Sequence, residues 1–393
     1  MTTLKSVSEG LKVIDVDCHW NEPPDLWTSR APAKYKDRVP QMRLLDGRSN
    51  WYIEGDVDFG YGVICVIDKE KEKRYGLLSI ATVDDIDEAA SDATARVKYM
   101  DEHGIWAELV YPNAAGFSAA KFMGKIHDEE LELQCLKIYN DAASDWQKES
   151  GDRLFPMALV PVRSMDQAVS EMRRAVEDLG LKGFVISDNL GALGLPDYNH
   201  PYWDPFWEAA SALDVPVNFH TGGTLLDNSR APWKHYTAPE KLAMNTTAAN
   251  VTNAAAMANI LLSGIHDRYP RVKFVSVESG IGWIPFLLET LDHNLDEMVP
   301  SQMRRTKRKP SEYFQEHWWA CFWFEEQALQ HQLEEIGVNK VMFETDYPHP
   351  TCLYPNNEEW IERTLRGVDK HSLRRILQDN ALELYKLPVP VSV

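Results

Sequence analysis

Three short stretches of this chain place acids and imidazoles where the ends of strands are expected. The first reads Asp15-Val16-Asp17-Cys18-His19. Side chains alternate along a strand, so Asp15, Asp17 and His19 share one face. In a segment otherwise rich in Val, Ile and Leu that face is expected to point inward, and burying two carboxylates and an imidazole without partners is costly. A metal ion would compensate the charge; a capped strand end with hydrogen-bonded polar groups is the competing explanation. The second stretch, Val217-Asn218-Phe219-His220-Thr221-Gly222-Gly223, ends on an imidazole and passes at once into a glycine turn. The third, Phe343-Glu344-Thr345-Asp346-Tyr347-Pro348-His349-Pro350, ends in the same way on Asp346. Taken singly, such a residue is more often a local hydrogen-bonding group than a ligand. Three of them change the balance if their strands form a barrel, because the C-terminal ends of barrel strands converge on one pocket. A divalent metal held there would lower the pKa of bound water and polarise a carbonyl or carboxylate.

The elements that would position these residues alternate as βα units do. Short β-rich segments are expected at 12–19, 106–111, 155–161, 183–187, 215–220, 272–278, 317–323 and 340–346. Helices are expected between and after them at 88–102, 128–149, 165–179, 204–213, 250–267, 284–297, 325–336 and 370–385. Eight such units predict an α/β fold, a (β/α)8 TIM-like barrel, and the absence of a GxGxxG turn argues against an open dinucleotide-binding sheet. Residues 41–78 alternate apolar and polar positions around glycine turns, which predicts a small β insertion after strand 1 within one domain spanning 1–393.

With these motifs in view, the sequence resembles the amidohydrolase superfamily, in particular its amidohydrolase-related branch with aminocarboxymuconate-semialdehyde decarboxylase and related aromatic-acid decarboxylases. The stretches that carry the resemblance are DVDCHWNEP (15–23), MDEHGI (100–105), NFHTGG (218–223), VSVESGIGWIPFLLE (275–289) and ETDYPHP (344–350). The resemblance implies a metal held by Asp17, His19, His220 and Asp346, with Glu22 supporting the first-strand site. Two departures stand out. The first ligand is a carboxylate, Asp17, where many relatives have histidine. Strand 6 ends in Glu278, where the better-known decarboxylases have a histidine that helps protonate substrate carbon. Asp17, Glu278 and Asp346 together carry more negative charge than one divalent ion neutralises. Glu278 is therefore expected to serve as a further ligand, bridging to a second ion, or as a general base; an anion at the start of the following helix is the bland alternative. His349, three residues beyond Asp346, is expected to orient substrate or exchange protons. Among the aromatics, Trp20, Trp283 and Tyr347, together with Glu22, are the expected substrate contacts, with Trp27, Trp233, Tyr236 and Tyr354 also near the mouth. His103, His266 and the basic run Arg304–Lys309 read as structural or solvated.

Composition narrows the partners. Acidic residues outnumber basic ones 60 to 41, a net charge of −19, which disfavours nucleic acid and anionic membranes. Five scattered cysteines without a CxxC pair make a disulfide framework or structural zinc site a poor expectation. No signal peptide or membrane span is visible, so a cytoplasmic location is expected. The leading expectation is a metal-dependent hydrolase of a small, carboxylated or aromatic substrate, using one or two Zn, Mn or Fe ions. The alternative is a metal-dependent nonoxidative decarboxylase, and the least favoured is a noncatalytic metal-binding barrel. A homo-oligomer, with a dimer favoured by the resemblance, is the expected assembly.

Overall fold

The computed structural model describes residues 10–222 and 234–388. Its strands are β1 (Val13–Trp20), β2 (Gln41–Leu45), β3 (Arg48–Ile53), β4 (Val57–Tyr61), β5 (Ile105–Pro112), β6 (Leu154–Pro156), β7 (Ala158–Leu159), β8 (Phe184–Ile186), β9 (Val217–His220), β10 (Phe274–Val277), β11 (Trp318–Phe322) and β12 (Val341–Phe343). All but β2 to β4 run parallel, in the orders β1-β5-β6 and β7-β8-β9-β10-β11-β12. The two series meet at Met157. Its N–H donates to Val110 O while the next N–H, of Ala158, donates to Gly183 O, so the strand turns from one neighbour to the other. Beyond β12, Asp346 N–H donates to Asp17 O at 2.8 Å and His19 N–H to Tyr347 O at 2.7 Å, laying the last strand segment beside β1. This is the TIM-like (β/α)8 arrangement anticipated from the alternation of elements. Every residue of β1 is buried, as expected for a parallel strand covered on both faces.

The helices start and stop for local reasons. Asp92 caps helix Ala93–His103 by accepting from Ala95 N–H, and Gly104 at φ +71° ends it one residue before β5. Asp128 likewise caps helix Glu129–Glu149. The single helix expected at 250–267 is instead two, Asn253–Leu262 and Ile265–Arg268, because Gly264 adopts φ +76° between them. The helix expected at 325–336 also divides, into Glu326–His331 and Leu333–Ile336. An additional helix, Ala238–Ala249, follows β9, opened by Thr237 and Glu240 in a capping box. The β insertion is an antiparallel sheet, β2-β3-β4. Phe59 of β4 packs on Phe122 at 4.8 Å between ring centroids, which ties the insertion to the loop after β5. On the outer face of the strands, Phe219, Phe274 and Trp318 stack at 5.0–6.0 Å, leaving their neighbour His220 to face the barrel interior. Among the described residues no helix is long and apolar enough to cross a membrane.

Candidate metal centre

At the C-terminal ends of the strands, six side chains from four segments meet. His19 Nε2 lies 3.2 Å from His220 Nε2, 3.4 Å from Asp346 Oδ1 and 3.6 Å from Asp17 Oδ1. His220 Nε2 is 3.3 Å from Asp17 Oδ1 and 3.6 Å from Glu278 Oε2. His349 Nδ1 is 3.0 Å from Asp346 Oδ1, and its ring stacks on His19 at 3.6 Å. Two overlapping groups have ligating atoms all within 4.8 Å of one another: Asp17, His19, His220 and Glu278, and His19, Glu278, Asp346 and His349. His220 Nδ1 is 2.7 Å from Thr221 O, a contact that fixes the proton there and turns the Nε2 lone pair inward.

A divalent ion fits this set. Neither oxygen of Asp17 accepts a hydrogen bond, although both are buried. Three carboxylates brought together in a dry pocket repel one another unless protons or a cation intervene. The donors are oxygen and imidazole nitrogen, which suits Mn, Zn or Fe. Cys18, although next to His19, faces the other way and donates to Glu108 Oε2, so no sulfur enters the set. The charge balance is visible at each group. Burial, together with Asp346, Asp17 and Glu344, pushes Glu278 well above the usual carboxylate range. Burial also raises Asp17, against the pull of His220. Asp346 goes the other way: burial would raise it, but His349 and His19 hold it below its ordinary value. Burial and the neighbouring imidazoles His349 and His220 depress His19. For His220 burial is outweighed by Asp17 and the Thr221 carbonyl, leaving it raised.

Beneath the cluster a second layer holds the strands in place. Asp15 does not reach the centre; it accepts from Asp17 N–H at 3.1 Å, Thr345 N–H at 2.9 Å and the Thr345 hydroxyl, bracing β1 against the last strand segment. Arg96, fully buried, donates to Glu108 Oε2 at 2.8 Å and to the backbone oxygen of His19 at 2.6 Å. Glu344 Oε2 accepts from Glu278 N–H at 3.2 Å.

The expected substrate contacts divide. Trp20 is turned away from the cluster: the alternation that aims His19 inward aims Trp20 outward, where it stacks on Trp146 at 4.6 Å and donates to Ser91 O. Tyr347 is also buried away from the mouth, its hydroxyl donating to Asp87 Oδ2 at 2.9 Å and its ring lying between Arg96 and Tyr99. Glu22 uses both oxygens to accept from Asn113 and Ala114 N–H, which makes it an anchor of the loop after β5. Trp283 folds back on the turn after β10, donating to Ser279 O at 2.7 Å. Trp27 is buried and donates to Cys135 O, Tyr354 donates to Lys71 O, Tyr236 is exposed, and Trp233 lies outside the described residues. His266 stacks on Tyr313, His103 packs tilted against Tyr99, and Arg304 and Arg308 pair with Asp296 and Glu316.

Two residues at the site escaped sequence reasoning. Asn113 Oδ1 lies 2.8 Å from His349 Nε2. Its position just after β5 is the strand-end signal that singled out His220 and Asp346, and it could have been found in the same way. Phe117, partly exposed and at φ +63°, lays its ring 4.6–5.4 Å from the rings of His220, His19 and His349. Nothing in the local sequence marks it.

Comparison with known proteins places this geometry in context. The sequence profile of the family described as Amidohydrolase matches residues 14–387. A gamma-resorcylate decarboxylase of Polaromonas sp. strain JS666 is 28% identical over 298 residues, covering 74% of this chain and 86% of that protein. The crystal structure of an amidohydrolase from Mycobacterium avium subsp. paratuberculosis K-10 superposes with a TM-score of 0.74 at 24% identity, over 96% of this chain and 99% of that one. A dihydroxybenzoic acid decarboxylase from Polaromonas sp. JS666, solved with manganese and the inhibitor 2-nitroresorcinol, gives a TM-score of 0.65 at 21% identity, over 96% and 97% of the two chains.

Proposed function

The chain belongs to the amidohydrolase family, and from that premise we propose that it is a divalent-metal-dependent nonoxidative decarboxylase of a small aromatic or unsaturated acid. The observation that carries this reading is the convergence of Asp17, His19, His220, Glu278, Asp346 and His349 at one barrel mouth in a chain whose relatives include gamma-resorcylate decarboxylases. Those relatives support decarboxylation, the alternative expected from the sequence, better than hydrolysis, its leading expectation. Manganese, bound in one of the similar structures, is the first ion to test.

Asp17, His19, His220 and Asp346 are the proposed holders of the metal. A divalent ion held by them would supply positive charge to stabilise the charge that develops as the C–C bond breaks. The remaining chemistry falls to the protein. Decarboxylation leaves the bonding electron pair on a substrate carbon, CO2 departs, and that carbon must then take up a proton. Glu278 is the proposed donor: its side chain keeps 11% exposure where Asp17, His19, His220 and Asp346 keep none, so it borders the open side of the pocket. Burial and the carboxylates around it push its pKa up in the metal-free pocket, and the carboxyl also stands within ligating reach of the ion's proposed place. His349, held between Asp346 and Asn113, is proposed to orient the acid. Phe117 supplies the apolar wall that keeps water from the reacting carbon.

The test is to incubate the Mn(II)-loaded protein with gamma-resorcylate and a panel of related aromatic and unsaturated acids in deuterated water. CO2 release with one deuterium incorporated at the vacated carbon is the expected result. Hydrolysis of amides, esters or lactones, without CO2 release from any acid of the panel, would overturn the proposal.

A further inference from the structure

We infer that Glu325 is a positioning residue for Glu278: it reaches from the segment after β11, grips the turn after β10, and so sets where the Glu278 carboxyl stands. Glu278 has φ +50°, in the left-handed region, which is strained for a residue with a side chain. Such a conformation persists only where the surroundings impose it. Three contacts do so. Glu344 Oε2 accepts the N–H of Glu278 itself. Trp283 Nε1 ties down Ser279 O. Glu325 Oε1 accepts two successive backbone donors just beyond, Ile281 N–H at 2.8 Å and Gly282 N–H at 3.0 Å.

The turn and the carboxylate are shaped for each other. Gly280, at φ +65°, lies so close to Glu325 that a Cβ there would stand 2.7 Å from Oε1 and 2.8 Å from Oε2. The backbone angle favours glycine, and a Cβ there would force the Glu325 carboxylate to move. Glu325 makes no ion pair among the described residues, and its Oε2 is buried without a hydrogen bond. The residue is half-buried, and the two backbone N–H groups of this turn are the hydrogen-bond partners its carboxylate holds. On its outer side the same residue lines a surface cavity of about 550 Å³ with Gly282, Phe324 and Trp360.

The inference rests on Glu278 standing within ligating reach of the proposed ion, as a member of both groups of converging donors, and not on which bond is broken there, so Mn(II) binding, which Glu278→Gln should itself weaken, is the readout rather than turnover. Mn(II) dissociation constants are measured for the full chain and for Glu325→Ala, Glu325→Gln, Gly280→Ala, Glu278→Gln and the double variant Glu278→Gln/Glu325→Ala. Glu325→Ala is expected to weaken Mn(II) binding at least ~10-fold, the lower range for loss of a group that orients a ligand. Glu325→Gln keeps an acceptor oxygen and should stay close to the parent. On the Glu278→Gln background, Glu325→Ala should have no further effect, because the group it positions is gone. Equal weakening with and without the Glu278 carboxylate would overturn the inference, as would unchanged binding in Glu325→Ala. If Glu325→Ala does not fold, Gly280→Ala carries the same test through the collision its Cβ introduces. It should weaken Mn(II) binding in the parent and not on the Glu278→Gln background, and equal effects in the two would be decisive against the proposal.

Discussion

Glu278 separates two ways of using this pocket. A carboxyl that keeps its proton among other carboxylates is an acid, whereas one that loses it to a neighbouring cation is a ligand. Both roles need the charge and the exchangeable proton, and neither needs more than the size of the side chain to be preserved for folding. Glu278→Gln is therefore expected to lower turnover by at least ~10²-fold, the lower range for a positioned acid–base group. Metal content measured on the same sample distinguishes the roles: a loss of metal with turnover assigns Glu278 as ligand, and full retention assigns it to proton transfer. A variant with parental turnover and metal content would remove it from the chemistry. His349 differs in kind. Both of its ring nitrogens already face oxygen acceptors, Asp346 Oδ1 and Asn113 Oδ1, so it is better placed to hold neighbours in register than to donate freely.

At the scale of elements, the loop after β5 shows how a distant strand shapes the mouth. Glu22, three residues past His19, accepts the N–H groups of Asn113 and Ala114, and Lys121 donates to Ala114 O at 2.9 Å from the far side. The base of the loop is thereby fixed while its tip carries Phe117 over the imidazoles. This anchoring has a measurable pH signature. Burial outweighs the backbone hydrogen bonds and raises Glu22 from 4.5 to about 7. Below pH 4.5 the carboxyl is protonated both folded and unfolded, so its contribution to stability is complete. As the pH climbs toward 7 only the unfolded chain ionises, and that contribution is progressively lost, by roughly 3 kcal/mol at most. Glu22→Gln cannot ionise, so the stability of the variant relative to the parent should rise between about pH 4.5 and pH 7 in denaturant titrations. A constant difference across that range would show that Glu22 is already ionised in the folded protein.

For the whole molecule the metal is a structural as well as a chemical matter. The candidate ligating groups come from segments hundreds of residues apart, Asp17 at one end and Asp346 at the other, and the unfolded chain cannot present them together. An ion that binds only the folded chain stabilises it by mass action, about 2.7 kcal/mol at a hundredfold excess over the dissociation constant. Chelation should therefore lower the unfolding temperature and abolish turnover, and Mn(II) should restore both. An active, metal-free preparation with the unfolding temperature of the loaded protein would refute the metal-centre reading. The net charge of −19 adds to this, since a chain already rich in acid gains more from a cation held between carboxylates.

What the sequence determined by itself was whatever depends on local period and local position. Alternation along β1 put Asp17 and His19 on one face, and strand ends marked His220 and Asp346, so the members of the buried cluster and the eight βα units could be read before any contact was known. The same alternation, carried one residue further, turns Trp20 outward; reading it as a substrate contact mistook proximity along the chain for proximity in space. Tyr347 and Glu22 are polar groups near the mouth whose partners, Asp87 and the backbone of Asn113 and Ala114, lie far off in sequence. Asn113 and Phe117 join the site only because β5 pairs with β1 in the register His19 with Tyr111. The helix expected at 250–267 broke where Gly264 took a left-handed angle, its backbone passing so near Arg305 that a Cβ would meet that carbonyl at 2.9 Å. The conformation of Glu278 is likewise held from 44 residues beyond its turn, by Glu325. Hydrophobic period and strand position are properties of neighbours in the chain, whereas the orientation of a side chain at a converging mouth is decided by contacts between segments that only the folded barrel brings together.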